Sequence, residues 1–300
     1  MTEKVTILDG GLGQEIIKRS GRELTPMWSA ETMLNDPDIV REVHKDFIEA
    51  GAEIITLNTY TATPARMERD SSLRLLQPIH FNAIRAAKEA IAETGARHVK
   101  IAGCLPPLVA SYVPDAIPDD GEALRQYQQL VTLQDEASDL FLCETMSTIR
   151  EAVAALTAGK ESGKPCWVSF TLDDETGDGD EGASRLRSGE SLQTAIETVT
   201  QLEADAVLLN CSSPETMNKA LPVLQSFKGA KGIYANAFET VLPLMQGETV
   251  DVLKARLDVT PEHYAQQALQ WVEQGISIIG GCCEVGPEHI RVLAEKIRNY

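Results

Sequence analysis

The run Ala206-Val207-Leu208-Leu209-Asn210 is apolar until its last residue. It does not alternate between apolar and polar side chains, as a strand with one face in solvent would. Continuous apolar runs of this length are typical of parallel strands that are covered on both faces. The run therefore predicts a buried strand of a parallel sheet, with the polar side chain of Asn210 at its carboxyl end.

The chain contains eight such runs, each short and rich in Val, Ile and Leu. Segments with apolar residues at i, i+3 and i+4, the spacing of amphipathic helices, lie between them. The predicted strands lie near residues 5–9, 53–58, 99–103, 140–144, 166–171, 206–210, 232–236 and 276–280. Eight strand–helix pairs predict an α/β fold of the (β/α)8 or TIM barrel type. We expect it to form a single domain over residues 1–300.

Helical patterns occupy the intervals between the predicted strands, most clearly at 72–94, 122–138, 189–203 and 261–274. Residues suited to cap helix N-termini occur at Asp38, Ser147, Ser191 and Thr260. The alternative architecture is an open, doubly wound sheet. The glycines after the first strand, at 10, 11 and 13, lack the full Gly-x-Gly-x-x-Gly spacing of a dinucleotide-binding turn, which disfavours that alternative.

Composition excludes several classes of partner. The net charge is −18, from 45 acidic and 27 basic residues, whereas nucleic acids and anionic membranes require basic patches. No apolar window reaches the roughly 18 residues of a transmembrane helix, and the first residues lack the apolar stretch of a signal peptide. We therefore expect a cytoplasmic protein whose six cysteines are thiols or metal ligands rather than disulfides. A homo-oligomer is compatible with this interpretation.

Polar side chains follow nearly every predicted strand. In a barrel they converge on the mouth at the carboxyl ends of the strands, where active sites are found. The stretch 173–189, rich in Asp, Glu, Gly and Ser, is predicted as a lid or a solvated loop at the same end. The polar residues in question are Asp9, Asn58, Thr59, Cys104, Glu144, Thr171, Asn210, Cys211, Asn236, Cys282 and Cys283.

Three of these residues indicate a metal site. Cys211 follows the sixth strand, and Cys282 and Cys283 follow two glycines after the eighth. Adjacent cysteines cannot both point down one strand, but in a loop just past it both sulfurs can face one point. Three thiolates form an open zinc site whose fourth position is free for a substrate. A substrate thiol bound there loses its proton, which suits alkyl transfer to sulfur.

The remaining cysteines and the histidines are interpreted as structural. Cys143 and Cys166 lie inside predicted strands and are expected to be buried core thiols. Cys104 ends the third strand, where a small residue at the barrel mouth is favoured over a fourth metal ligand. None of the five histidines lies at the end of a strand, so none is assigned to the metal.

Motifs along nearly the whole chain resemble those of the homocysteine S-methyltransferases. That family includes enzymes that use S-methylmethionine, the betaine–homocysteine methyltransferases and the homocysteine-binding module of cobalamin-dependent methionine synthase. The pairing of Asn210-Cys211 with Gly280-Gly281-Cys282-Cys283 is the most specific element. The matching segments are 8–13, 28–30, 58–60, 62–64, 143–145, 169–172, 186–191, 210–211, 234–237 and 280–283.

The resemblance implies a zinc-dependent transfer of a methyl group to the thiol of L-homocysteine, giving methionine. It implies that Cys211, Cys282 and Cys283 bind Zn2+ and that Asp9 and Glu144 hold the amino group of the substrate. It also implies a role in substrate binding for a further set of residues, with Trp28 matching a tryptophan that contacts a betaine donor. That set is Gly10, Gly11, Trp28, Asn58, Thr59, Asn210 and Asn236.

The methyl donor is left open by two departures from the family pattern. Residues 103–108 replace a common Gly-Ser-Val-Gly-Pro, and residues 234–238 replace a common Tyr-Pro-Asn-Ser-Gly. A small sulfonium or ammonium donor is favoured because no cobalamin or folate module is attached. The alternatives are a zinc barrel that acts on a different thiol or donor, a thiol-binding protein without turnover, and a metal-dependent hydrolase. The last would require His or carboxylate ligands at the strand ends.

Overall fold

Eight parallel strands form the centre of the protein in the computed structural model, which describes residues 4–21, 25–174, 185–245 and 250–300. They run in the order β1-β8-β7-β6-β5-β4-β3-β2. A parallel bridge between Leu8 and Ile54 joins β1 to β2 and closes the sheet. The strands are β1 Thr6–Ile7, β2 Ile54–Thr56, β3 Lys100–Leu105, β4 Leu140–Met146, β5 Cys166–Phe170, β6 Ala206–Asn210, β7 Ala230–Tyr234 and β8 Ile278–Ile279.

Helices follow the strands along the chain and surround the sheet, so the architecture is the predicted single-domain (β/α)8 barrel. Within the described ranges the α-helices are α1 Leu12–Ser20, α2 Thr32–Asn35, α3 Pro37–Ala50, α4 Pro64–Asp70, α5 Leu76–Thr94, α6 Asp120–Gln134, α7 Ile149–Glu161, α8 Leu192–Gln201, α9 Pro214–Leu224, α10 Leu242–Met245, α11 Pro261–Glu273 and α12 Pro287–Arg298. None of them is long and apolar enough to cross a bilayer.

The helix starts confirm two of the four predicted caps and correct the other two. Ser191 and Thr260 accept hydrogen bonds from backbone N–H groups of α8 and α11. The cap of α3 is Asp36 rather than Asp38, because Pro37 occupies the first helical position. The cap of α7 is Thr148 rather than Ser147, since the Thr148 hydroxyl reaches the N–H of Glu151.

The predicted strands differ from the observed ones mainly at their ends. β7 begins at Ala230, two residues before the predicted start, because Ala230 pairs with Ala206 of β6. β1 and β8 are only two residues long. The residues beside them are joined to the neighbouring strands by single backbone hydrogen bonds. Of the predicted 173–189 loop, residues 175–184 lie outside the described part.

The strands separate two layers of apolar side chains because successive side chains point to opposite faces. Leu140, Leu142 and Leu208 belong to a small cluster made of strand residues, which fills the barrel interior. Phe141 and Leu209 belong to the larger cluster between the strands and the helices. Polar residues two positions beyond the interior leucines therefore continue the interior face at its carboxyl end, which places the functional site there.

Candidate metal and substrate site

Three thiols meet at the carboxyl end of the barrel. Cys211 directly follows β6 with a φ of 52°, and Cys282 and Cys283 follow β8. The Sγ of Cys282 lies 2.8 Å and the Sγ of Cys283 3.9 Å from the Sγ of Cys211. All three sulfurs lie within 4.8 Å of one another, and they form a group that could hold a metal ion. The structure therefore brings together the three predicted ligands.

The spacing of these sulfurs can be compared with that of a tetrahedral zinc–thiolate site. Zinc–sulfur bonds of about 2.3 Å at tetrahedral angles place pairs of sulfurs roughly 3.8 Å apart. The separation between Cys211 and Cys283, 3.9 Å, matches this value. The separation between Cys211 and Cys282, 2.8 Å, is shorter, so these two side chains would have to move apart on metal binding. The three thiol ligands and the distance between the sulfurs of Cys211 and Cys283 therefore fit a zinc site.

Close backbone packing explains the glycines beside the thiols. A Cβ atom on Gly11 would lie 2.7 Å from the carbonyl oxygen of Cys282, and one on Gly280 would lie 2.5 Å from the Cβ of Leu8. Neither glycine adopts a positive φ, so the requirement is for space rather than for a left-handed turn. The β1 and β8 loops can approach each other closely only because these positions lack side chains.

Two carboxyl groups lie on the same interior face, that of Asp9 buried and that of Glu144 partly buried. Glu144 continues the face of Leu142, and its Oε1 lies 2.9 Å from the Cys104 thiol, which donates to it. Asp9 follows β1, and its Oδ2 accepts a hydrogen bond of 2.8 Å from the N–H of Thr56. Burial raises the pKa of Asp9 to about 8 and that of Glu144 to about 7. Within the described ranges neither carboxyl group forms an ion pair with a cationic side chain, so a substrate ammonium group could supply the compensating charge.

A cavity of about 470 Å³ connects the thiols with the carboxyl groups, a volume in the range of small-molecule sites. Most of the residues predicted for the site line it. These are Asp9, Gly10, Gly11, Trp28, Asn58, Glu144, Cys211, Cys282 and Cys283. Three predicted substrate-binding residues are not part of its wall: Thr59, Asn210 and Asn236.

Asn210 is instead engaged with the ends of β4 and β5. Its Oδ1 accepts hydrogen bonds from the N–H of Thr145 at 3.0 Å and the hydroxyl of Ser169 at 2.8 Å. Its Nδ2 donates to the Thr145 hydroxyl at 2.8 Å. Thr145 has a φ of 61°, in the left-handed region, directly after Glu144. Asn210 thus positions the segment that carries Glu144.

Replacing Asn210 with alanine is expected to destabilise the protein by about 3 kcal/mol, because the Thr145 N–H and the Ser169 hydroxyl would be left buried without partners. Equilibrium unfolding in urea measures the change. Asn299→Ala, at the exposed end of α12, is the control and should change stability by less than about 0.5 kcal/mol. Equal effects of the two substitutions would contradict the role assigned to Asn210.

Trp28 lies on the cavity wall in a constrained conformation. Its φ is 49°, a value uncommon for a bulky residue outside functional or strained positions. Asn58 fixes the adjacent residue, since its Oδ1 accepts from the Ser29 hydroxyl at 2.8 Å and its Nδ2 donates to the Ser29 carbonyl at 3.1 Å. The rings of Trp28 and Tyr60 meet edge to face, with centroids 6.3 Å apart. Asn58 therefore fixes the segment next to Trp28, and the rings of Trp28 and Tyr60 form an aromatic wall of the cavity.

Tyr112 was not identified from the sequence, yet it contacts the thiol cluster. Its hydroxyl lies 2.9 Å from the Sγ of Cys211, and the guanidinium of Arg187 lies 4.9 Å from its ring centroid. Hydrogen bonds from Cys282, Cys283 and Tyr112, in that order, hold the pKa of Cys211 well below its usual value. Tyr112 belongs to the long β3–α6 connection, whose path over the mouth no local sequence pattern reveals.

The other cysteines occupy the places expected for them. Cys143 and Cys166 are fully buried in β4 and β5, with their sulfurs 3.6 Å apart. Cys104 is buried in β3 and belongs to the Glu144 hydrogen bond rather than to the three-thiol group. Among the described residues, no histidine joins that group.

The chain thus forms a closed single-domain (β/α)8 barrel with thiols and carboxyl groups at the carboxyl ends of its strands, the end at which barrel enzymes carry their active sites. The family model for homocysteine S-methyltransferases matches residues 6–297. The chain belongs to the homocysteine S-methyltransferase family and is an enzyme of that family.

Individual relatives agree with this assignment. The chain is 29% identical to the homocysteine S-methyltransferase of Escherichia coli K12, over 97% of this chain and 94% of the relative. It is 27% identical to the selenocysteine methyltransferase of Astragalus bisulcatus, over 96% and 91% of the two chains. The metallated form of the homocysteine methyltransferase MmuM from Escherichia coli has the same fold, with a TM-score of 0.80 at 23% identity over 98% of this chain and 96% of that one.

Proposed function

We propose that the enzyme catalyses zinc-dependent transfer of a methyl group from a small sulfonium or ammonium compound to the thiol of L-homocysteine, giving methionine. The observation that carries the proposal is that three thiols and two carboxyl groups line one cavity. A metal bound by thiolates and a pair of carboxylates together match an acceptor that has both a thiol and an ammonium group.

Zinc is proposed as the ion because thiolate ligands favour it among the common divalent metals. Held by Cys211, Cys282 and Cys283, zinc would supply a fourth position at which a thiol is deprotonated. Metal-dependent hydrolysis is disfavoured, because the three candidate ligands in the described structure are all cysteines. Hydrolytic zinc sites commonly rely on His and carboxylate ligands instead.

The side chains of this protein bind and align the reactants. The carboxylates of Asp9 and Glu144 bind the ammonium group of homocysteine, which fixes the direction of its thiol. Trp28 and Tyr60 offer aromatic surfaces to the positive charge of the donor, an attraction of about 0.5–2 kcal/mol. The acceptor sulfur then attacks the donor methyl carbon in line. A new sulfur–carbon bond forms, the old bond to the methyl group breaks, and the cationic centre of the donor leaves as a neutral thioether or amine.

The proposal is tested by assaying the metal-loaded enzyme with homocysteine and four donors: S-methylmethionine, S-adenosylmethionine, betaine and dimethylsulfoniopropionate. Methionine is measured by mass, and zinc by elemental analysis of the purified protein. We expect one zinc per chain, methionine formation with at least one donor, and loss of turnover on chelation that is restored by zinc. Turnover that survives removal of all metal would contradict zinc dependence. Binding of homocysteine without turnover for any donor would indicate a binding protein.

A further inference from the structure

A buried cation that has no acidic partner among the described residues lies on the wall of the cavity. Arg66, on α4, is 8% exposed and lines the cavity. Its Nε and Nη2 donate to the carbonyl oxygen of Pro107 at 3.3 and 3.1 Å, and Nη2 also donates to the Ser111 hydroxyl at 3.3 Å. All of these acceptors are neutral. Within the described ranges, Nη1 donates no hydrogen bond and no carboxylate forms an ion pair with Arg66.

The acidic residues near Arg66 do not compensate its charge. Asp70 is engaged by Arg69, with the Asp70 Oδ2 2.6 Å from the Arg69 Nη2. Glu151 accepts from the N–H of Leu108 at 3.1 Å, and burial raises its pKa to about 7, so it is only partly ionised at neutral pH. Arg187 provides the contrast, because this equally buried arginine has an ion pair of 2.7 Å with Asp174.

A buried charge without a counter-ion is strongly unfavourable, and an arginine does not lose its proton in a protein. A guanidinium kept in this state beside a cavity is suited to bind an anionic group of the ligand. Its planar set of N–H donors matches the two oxygens of a carboxylate. The unused Nη1 and the neutral partners of Nη2 leave the positive charge available for such a group.

The position of Arg66 in the barrel indicates which reactant supplies the carboxylate. Asp9 follows the short β1 and Glu144 lies near the carboxyl end of β4, whereas Arg66 lies on α4, beyond the 57–63 loop. Arg69, one turn later, also lines the cavity and is half exposed, so this side is the rim. The Arg66 guanidinium lies 5.7 Å from the ring centroid of Tyr60, which also contacts Trp28. The anion site therefore adjoins the aromatic wall.

We propose that Arg66 forms a subsite for the carboxylate of the methyl donor, so that the enzyme selects zwitterionic donors with a methylated cationic centre and a carboxylate. The inference rests on the proposed function. The aromatic wall of Trp28 and Tyr60 receives the cationic centre, and Arg66 receives the anionic end. Arg66 is a specificity residue that contacts the donor away from the reacting carbon.

The test compares each donor with its amide, which has nearly the same shape but no charge. We expect the wild-type enzyme to prefer dimethylsulfoniopropionate over its amide, and S-methylmethionine over S-methylmethioninamide, by about 10- to 100-fold in kcat/KM. In Arg66→Gln, the ratio of kcat/KM between each carboxylate donor and its amide should fall to near one. The reason is a higher KM for the carboxylate donors, with little change for the amides. Arg66→Lys, which keeps the charge, should retain part of the preference. Arg74→Gln removes an exposed charge nearby and is the control.

Two further measurements separate the alternatives. If the Arg66→Gln substitution changes the ratio between homocysteine and homocysteinamide instead, the carboxylate belongs to the acceptor and the proposal is wrong. An equal loss for carboxylate and amide donors would indicate a purely structural role and would also overturn it. Calorimetric binding of dimethylsulfoniopropionate and its amide to the wild-type enzyme is measured without turnover. Equal binding of the two, or no binding of either, rejects the subsite even if methionine formation fails for another reason.

Discussion

Cys282→Ser and Cys283→Ser are each expected to abolish stoichiometric zinc binding and to lower kcat/KM for methionine formation by at least about 1000-fold, or about 4 kcal/mol. The physical reason is that the three sulfurs lie within 4.8 Å of one another and constitute the whole protein contribution to the proposed site. A serine hydroxyl is a much poorer zinc ligand than a thiolate, since its proton is far harder to remove. Elemental analysis and a steady-state assay measure the two effects.

The matched control is Cys166→Ala. Cys166 is fully buried in β5 and is not a member of the three-thiol group, so its loss should affect stability but leave zinc content near one per chain. Wild-type zinc content and turnover in Cys282→Ser and Cys283→Ser would rule out the metal site. Loss of zinc from the control as well would indicate general unfolding rather than loss of a ligand.

Glu144→Gln is expected to raise the KM for homocysteine by about 100-fold, because the amide keeps the shape of the carboxylate but not the charge that binds the ammonium group. Glu151→Gln is the matched control. Burial raises the pKa of Glu151 to about 7 as it does that of Glu144, but Glu151 does not line the cavity. Its substitution should leave the KM within a few-fold of the wild-type value. Similar KM values for the two variants would contradict the assignment of Glu144.

The carboxyl groups of Glu144 and Asp9 predict how the affinity for an amino acid depends on pH. Burial raises the pKa of Glu144 to about 7 and that of Asp9 to about 8, so both are largely protonated at pH 6 in the free enzyme. Binding of an ammonium group favours the ionised forms and releases protons. Affinity should therefore increase as the pH rises from 6 to 9. L-Norleucine, which has no thiol to titrate, is the probe, and calorimetry in buffers of different ionisation enthalpy counts the protons released.

In Glu144→Gln, the part of this pH dependence that belongs to Glu144 should disappear. The part that belongs to Asp9 should remain and move to lower pH, because the charge of Glu144 helps to raise the pKa of Asp9. An affinity for norleucine that is constant between pH 6 and 9 in the wild-type enzyme would show that neither carboxyl group binds the ammonium.

The three predicted thiols lie close together for a geometric reason. Parallel strands that alternate with helices must all end at the same mouth, so any polar residue at the end of a predicted strand is placed near the others. Cys211, after β6, and Cys282, after β8, could be brought together by this rule alone. Glu144 follows the same logic, since it lies two residues beyond Leu142 on the interior face of β4.

The rule does not tell which of the polar residues at the mouth face the ligand. Asn210 lies on the interior face of β6 as Glu144 does in β4, yet its amide oxygen and nitrogen are bonded to Thr145 and Ser169 and it does not line the cavity. Asn58 lines the cavity, but its side chain is bonded to Ser29. A sequence identifies hydrogen-bonding groups, whereas only the packed structure shows which of them already have partners.

The sequence by itself determined the barrel and its thiol site, because strand periodicity and chain order place the ends of all the strands at one mouth. Only the tertiary structure decided the rest of the site. Tyr112 and Arg66 come from long connections, where no repeating pattern constrains the chain. Their positions depend on contacts between loops that are distant in sequence, such as those of Arg66 with Pro107 and Ser111. The thiol cluster is therefore evident from local pattern, and the side of the cavity around Tyr112 and Arg66 only from packing.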